Sequence, residues 1–325
     1  MTALLELKEL TVAYRTGAGA VPVVRGVNLV VEPGRKVGIA GESGCGKTTL
    51  ANTVLRLEPD NATVSGNILL SGRDIQQMNW GEIRSVRWAE AAVVFQGALH
   101  SLNPVRKIGE QIAEPIRLHG SVKGAREVTS RVTELLGQVG LPISKADAYP
   151  HQLSGGQKQR VMIAMALACG PHLIVADEPT TALDVMVQAQ ILDLMCGLVE
   201  DMGIGLVMIS HDLAVLRQTC DDIAVMYAGK VVEFGPAAEI FENPKHPYTV
   251  ALVGAFPIIG DRKARYAPRG LPGDPPDPAL RPPGCPFAPR CEHAVAACTD
   301  VEPALLPIAP GRSAACIRLE KETAQ

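Results

Sequence analysis

The densest chemical content lies at Gly41-Glu-Ser-Gly-Cys-Gly-Lys47-Thr48, which fits the pattern G-x-x-x-x-G-K-[ST]. Gly41, Gly44 and Gly46 let backbone N–H groups, including those of Ser43 and Cys45, turn inward around phosphate oxygens. Lys47 supplies charge for terminal phosphates, and the Thr48 hydroxyl, with Thr49 beside it, offers a ligand for magnesium. A second constellation is Leu173-Ile-Val-Ala-Asp177-Glu178. A buried strand there delivers Asp177 to hold a magnesium shell, and Glu178 is assigned as the base that orients or deprotonates an attacking water. His211 follows the apolar run Gly205–Ile209, where a neutral imidazole hydrogen-bonds a γ-phosphate and that water. Gln96 follows Val93-Val-Phe95, with an amide able to reach the metal or the water. A third cluster, Ser154-Gly155-Gly156-Gln157, opens the apolar run Val161 to Cys169 and makes a second anion site at a helix N-terminus. With phosphates already wrapped by the first loop, the second site makes sense if it closes over a γ-phosphate held by another subunit.

Positioning these groups requires strands that end at them. Lys36–Ala40, Leu173–Ala176 and Gly205–Ile209 read as buried strands, with helical patterns between them such as Val187 to Glu200 and the helix-forming run Thr49 to Leu57. That alternation implies an α/β fold with a parallel sheet core and ligand chemistry at the strand ends. Leu4 to Tyr14 and Val23 to Val31 alternate as an antiparallel sheet does.

Composition narrows the function classes. The chain has 325 residues, 47% of them hydrophobic, and a formal net charge of −3, so it carries no basic footprint for nucleic acid. The N-terminal Met-Thr-Ala-Leu-Leu-Glu-Leu-Lys-Glu-Leu is not a secretory signal, and the longest apolar stretch, Val161 to Cys169, is too short to span a bilayer. Any membrane role therefore passes through a partner. Thirteen of the 25 prolines lie between Pro257 and Pro310, which places a boundary near residue 258 between a main domain (1–258) and a loop-rich appendix (259–325).

The order of elements resembles the ABC ATPase family over roughly residues 3 to 258: the phosphate loop, Phe95-Gln96, Leu153-Ser-Gly-Gly-Gln157, Asp177-Glu178, Ala182-Leu183-Asp184 and His211. The resemblance implies an ABC-type nucleotide-binding domain with a helical subdomain at about 97–165. It implies ATP and Mg2+ as ligands and two cassettes that sandwich two ATP molecules. Lys47, Thr48, Gln96, Asp177, Glu178 and His211 then serve one nucleotide, while Ser154, Gly156 and Asp184 act across the dimer. Tyr14 matches the aromatic that stacks on adenine. Tyr149-Pro-His-Gln-Leu-Ser154, Ser101-Leu-Asn-Pro104 and Asn243-Pro-Lys-His-Pro-Tyr-Thr249 look like the oligopeptide, dipeptide and nickel importer branch. One departure stands after Gln96, where the branch has Asp-Pro and this chain has Gly97-Ala98.

By that likeness the chain powers peptide import from the cytoplasmic side of the membrane. Its partners are a second and different cassette, two permeases and an extracytoplasmic peptide-binding protein. Another cargo such as nickel, or a soluble ATPase role without transport, are the alternatives. The 106 residues between Lys47 and Ser154 leave no room for the long coiled coil of the repair type.

Four of the eight cysteines crowd the tail as Cys285-x5-Cys291-x6-Cys298-x17-Cys316. Four thiolates are the count that a cubane cluster or a zinc ion needs. No tight pair favours zinc, and the spacing matches no common ferredoxin pattern. Pro289-Arg290-Cys291 resembles the tail of the peptide-importer cassettes, and that resemblance implies a 4Fe–4S cluster on these four cysteines.

Overall fold

The computed structural model describes residues 2–17, 19–97, 101–120, 122, 124–181, 183–255, 271 and 273–319. Its strands in chain order are β1 (Leu5–Thr16), β2 (Gly19–Val31), β3 (Lys36–Ala40), β4 (Ala62–Leu70), β5 (Arg73–Asp74), β6 (Ala91–Val94), β7 (Leu173–Asp177), β8 (Gly205–Ile209), β9 (Asp222–Tyr227), β10 (Lys230–Pro236), β11 (Leu306–Ala309) and β12 (Arg312–Ala314). The helices used below are α1 (Lys47–Thr53), α2 (Trp80–Val86), α3 (Ile108–His119), α4 (Ala125–Gln138), α5 (Gly155–Ala166) and α6 (Val185–Met202). The fold class is α/β, as the alternation of apolar runs implies.

The chain divides into two compact units. The first comprises Met1–Leu4, Val31–Arg35 and Leu70–Met208; the second comprises Leu5–Val30, Lys36–Leu69 and Ile209–Gln325. In the first, β6 pairs with β7 in parallel, with Ala91 opposite Leu173 and Val94 opposite Ala176. Every residue of β6, β7 and β8 is buried, the pattern of strands covered on both faces. α3, α4 and α5 pack on one another through Ile108, Ile112, Ile116, Leu135, Leu136 and Val161, all nearly inaccessible to solvent. α2 starts at a capping box in which Asn79 and Glu82 satisfy each other's orphan N–H groups.

In the second unit β3 pairs with β9 in parallel from Val37 opposite Asp222 to Ala40 opposite Val225. β9 turns back into antiparallel β10, and β12 then adds to β10 with Glu233 opposite Ala314. The proline-rich tail thus contributes β11 and β12, an antiparallel pair, to a sheet whose other strands come earlier in the chain. β1 lies between β2 and β4. The helix after the phosphate loop is shorter than the run Thr49 to Leu57 suggests. It ends at Thr53 because Arg56 takes φ +52 and Pro59 follows, neither compatible with continuing the helix.

Candidate functional site

In the second unit, β3 ends at Ala40 and the chain enters a loop that only glycine permits. Gly41 has φ +151, and a Cβ there would lie 2.3 Å from the Met226 carbonyl oxygen. Gly46 has φ +104, and a Cβ there would lie 2.7 Å from the carbonyl oxygen of Val23. The loop is therefore seated on β9 and β2 by backbone contact, a reason for these two glycines beyond room for phosphate.

Ser43, Gly44 and Thr48 are exposed, whereas Lys47 is 6% exposed and folds back over the loop. Its Nζ donates to the carbonyls of Gly41 at 2.7 Å and Glu42 at 2.9 Å and approaches Cys45 Sγ at 3.8 Å. Lys47 thereby occupies the cradle with its own positive charge. Burial pushes the Cys45 thiol up, partly offset by Lys47, so Cys45 stays a neutral lining group. Tyr14 Oη donates to Thr49 Oγ1 at 3.2 Å, so the aromatic flanks the first turn of α1. His211 is exposed just beyond β8, and the next residue, Asp212, caps the helix Leu213–Thr219 by accepting from the N–H groups of Ala214 and Val215.

The other candidates belong to the first unit. Asp177 is the last residue of β7 and 4% exposed. Glu178 follows with φ +44, a left-handed conformation unusual for a residue with a side chain and worth about 1–3 kcal/mol of strain. Its Oε2 accepts from Gln96 Nε2 at 2.8 Å and from Thr181 Oγ1 at 2.9 Å. Gln96 and Glu178, 82 residues apart in sequence, are therefore brought together.

Ser154 caps α5: Gln157 N–H donates to Ser154 Oγ at 3.3 Å, and Ser154 N–H donates to Gln157 Oε1 at 3.2 Å. Gly155 begins the helix, and a Cβ on Gly156 would lie 2.6 Å from Val187 Cγ1 of α6, so this glycine sets the approach of the two helices. Asp184 caps α6 by accepting from Val187 N–H at 3.0 Å. Just after it, Val185 and Met186 are 76% and 71% exposed. Ala182, quoted with Asp184 above, and Ala98 after the Gln96 loop lie outside the described residues.

Several contributors were not singled out from sequence. Gln111 of α3 is buried and holds the turn from Asn103 to Arg106. It accepts from Asn103 N–H and donates to the carbonyls of Asn103 and Arg106. Glu42 is the hub of the phosphate loop: its N–H donates to Tyr248 Oη at 2.8 Å, and Arg290 grips its carboxylate.

Chain geometry also gathers the tail cysteines. Cys285, Cys291, Cys298 and Cys316 line one small cavity with Phe287 and His246, and all are free thiols. The cavity is about 20 Å3, the room of one water, so a metal centre would have to widen it. Burial pushes the Cys285 and Cys291 thiols up, and the nearby Cys298 adds to both. His246 is fully buried and pushed down to about 4 by burial, hence neutral; its Nδ1 accepts from Tyr248 N–H. Among the described residues, no three His, Cys, Asp or Glu side chains are gathered so as to hold a single metal ion. That finding bears equally on zinc and on an iron–sulfur cluster. The four thiols lining this cavity are soft donors of the type that either zinc or an iron–sulfur centre takes.

A family model described as ABC transporter matches residues 24–181, and one described as Oligopeptide/dipeptide transporter, C-terminal region, matches residues 232–298. A relative from Brucella abortus (strain 2308), described as a peptide import ATP-binding protein, is 44% identical over 316 residues, covering 96% of this chain and 94% of the relative. The chain belongs to the ABC transporter ATP-binding proteins. A second member, a peptide ABC transporter ATP-binding protein of Sinorhizobium fredii, is 43% identical over 321 residues, covering 97% of this cassette and 95% of that protein. Among solved structures, a dimeric bacterial ABC transporter cassette is 31% identical, with a TM-score of 0.65, covering 72% of this chain and 98% of that one. A second solved structure is a dimeric post-hydrolysis state of an ATP-binding cassette bound to ADP and Pi. It is 32% identical with a TM-score of 0.65, covering 72% of this chain and 98% of that one. The cassette is thus of an ATP-hydrolysing family. No described helix is long and apolar enough to cross a membrane.

Proposed function

We propose that this cassette is the ATP-hydrolysing subunit that powers peptide import through an ABC transporter. The observation that carries the reading is the likeness to peptide import ATP-binding proteins over 96% of the chain, tail included. Lys47 exchanges its bonds to the Gly41 and Glu42 carbonyls for the β- and γ-phosphate oxygens. Tyr14 flanks the adenine. The Thr48 hydroxyl, the Asp177 carboxylate and the Gln96 amide are the hard oxygen donors that suit magnesium, which when bound neutralises phosphate charge. Glu178 releases Gln96 and accepts a proton from the attacking water as the γ-phosphoryl group passes to that water and ADP leaves. His211 hydrogen-bonds the γ-phosphate.

Ser154, Gly155, Gly156, Gln157 and Asp184 serve the nucleotide of a second cassette, a different but related subunit. The exposed Val185 and Met186 beside Asp184 suit such an interface. The segment from Gln96 to Pro104 meets a cytoplasmic helix of a permease. The subunit works peripherally at the cytoplasmic face, with two permeases and an extracytoplasmic peptide-binding protein. The four tail cysteines hold a 4Fe–4S cluster of structural or redox-sensing role.

ATP hydrolysis by the purified subunit, measured alone and then with permeases and partner cassette, tests the reading. Activity is low alone, rises on assembly and rises again with peptide-loaded binding protein. An equal rate in all three states overturns the transport assignment.

A further inference from the structure

An anion-binding loop that carries a carboxylate works against itself, because Glu42 lies next to the glycines that receive phosphate. Two segments from far along the chain end on this one residue. Arg290 NH1 donates to Glu42 Oε2 at 2.7 Å and NH2 to Oε1 at 2.9 Å, a two-point fork that engages both carboxylate oxygens. The Arg290 side chain is 6% exposed and that of Glu42 22%, so the pair is poorly screened by solvent. Arg290 is itself braced: NH1 also donates to Tyr227 Oη at 3.2 Å, and the guanidinium lies 5.9 Å from both the Tyr227 and Phe287 ring centres.

The second segment is Asn243–Thr249. Glu233, fully buried, accepts from the N–H groups of Lys245 and His246 and pairs with Arg312 of β12. That anchor sets Tyr248, whose Oη accepts the Glu42 N–H. Tyr227, Tyr248 and Phe287 pack as one aromatic cluster with centroids 4.5 to 5.4 Å apart. Pro275 to Pro278 and Arg281 of the tail line a cavity of about 190 Å3 together with Glu42, Ser43 and Gly44.

We infer that Arg290 is a positioning residue for nucleotide binding: its fork neutralises Glu42 and so removes the repulsion that this carboxylate would exert on the phosphates of ATP. The inference rests on the reading of Gly41–Thr48 as the ATP phosphate site. The tail then does more than append a cysteine centre. Its Arg290, next to Cys291, cancels the negative charge of the second residue of the phosphate loop.

The test is Mg-ATP titrated calorimetrically into the purified full chain. Arg290→Met raises Kd about 3- to 30-fold while the melting temperature without nucleotide stays within a few degrees of the parent. Glu42→Gln alone binds ATP at least as tightly as the parent. Combined with Arg290→Met, it returns Kd to within about twofold of the parent, because no carboxylate is left to neutralise. A purely structural arginine gives a lowered melting temperature and no rescue by Glu42→Gln, and that result overturns the inference, as does parental affinity in Arg290→Met. Should Arg290→Met not fold, Arg290→Lys, which keeps the charge and loses the fork, shows the same rescue with a smaller rise in Kd. Lys47→Ala separates the two readings: parental affinity in that variant overturns the phosphate site itself, whereas weak binding there beside parental affinity in Arg290→Met overturns the clamp alone.

Discussion

The amide of Gln96 donates to the carboxylate of Glu178 at 2.8 Å, with Thr181 Oγ1 on the same oxygen. The proposed base is thus joined directly to the proposed water-positioning amide. Hydrolysis requires that this bond be traded for the attacking water. Glu178→Gln keeps the hydrogen-bonding shape and removes the proton acceptor. The expected result is ATP binding like the parent's and turnover about 10²–10⁴-fold lower in the assembled complex. Gln96→Ala removes one hydrogen bond from Glu178 and leaves the carboxylate and its bond from Thr181 in place, so turnover falls less. Near-normal turnover in Glu178→Gln contradicts the assignment.

Lys47 donates to the carbonyls of Gly41 and Glu42, which partly satisfy its charge. Lys47→Ala removes the phosphate contact and leaves both carbonyls facing the site. ATP affinity is expected to fall by about tenfold or more, roughly 1.4 kcal/mol, read by equilibrium binding.

Gly156 has a role in packing that can be measured apart from ATP. Its missing Cβ leaves room for Val187 Cγ1, which an alanine would approach to 2.6 Å. Gly156→Ala is expected to cost about 1–3 kcal/mol of stability. Val187→Ala in the same chain should recover most of the loss in a denaturant titration. Lack of recovery would show that the glycine serves some other end.

Much of the fold was legible because its strands are continuous apolar runs closed by chemically loaded turns. Lys36–Ala40 and Gly205–Ile209 match β3 and β8 in both bounds, and Leu173–Ala176 falls one residue short of β7. The loop Gly41–Thr48 stands out in the sequence because glycines, lysine and threonine fall at a fixed spacing. What escaped are pairings between residues far apart, since no local periodicity reports them. Arg290 and Glu42 are 248 positions apart. The addition of β12 to β10 and the contact of Gly156 with Val187 depend likewise on tertiary placement. Glu42 alone left a trace, as a negative charge where phosphate is expected. Gln111 gave none, because its buried amide spends its bonds on a loop whose shape the sequence does not disclose.

The four tail thiols make a separate prediction. Anaerobically purified protein is expected to contain about four irons and four sulfides per chain, and Cys291→Ser to lose them together with melting temperature. Protein with neither iron nor zinc, and unchanged stability in Cys291→Ser, contradicts a metal centre. One zinc per chain contradicts the cluster.

The central claim, that ATP hydrolysis by this subunit drives peptide import, is tested most directly by uptake. Cells whose only copy of the gene encodes Glu178→Gln are supplied with radiolabelled di- and oligopeptides. The account predicts that uptake falls to the level of cells lacking the gene, while the variant protein is present in normal amount and still binds ATP. Uptake at the parental rate would contradict it.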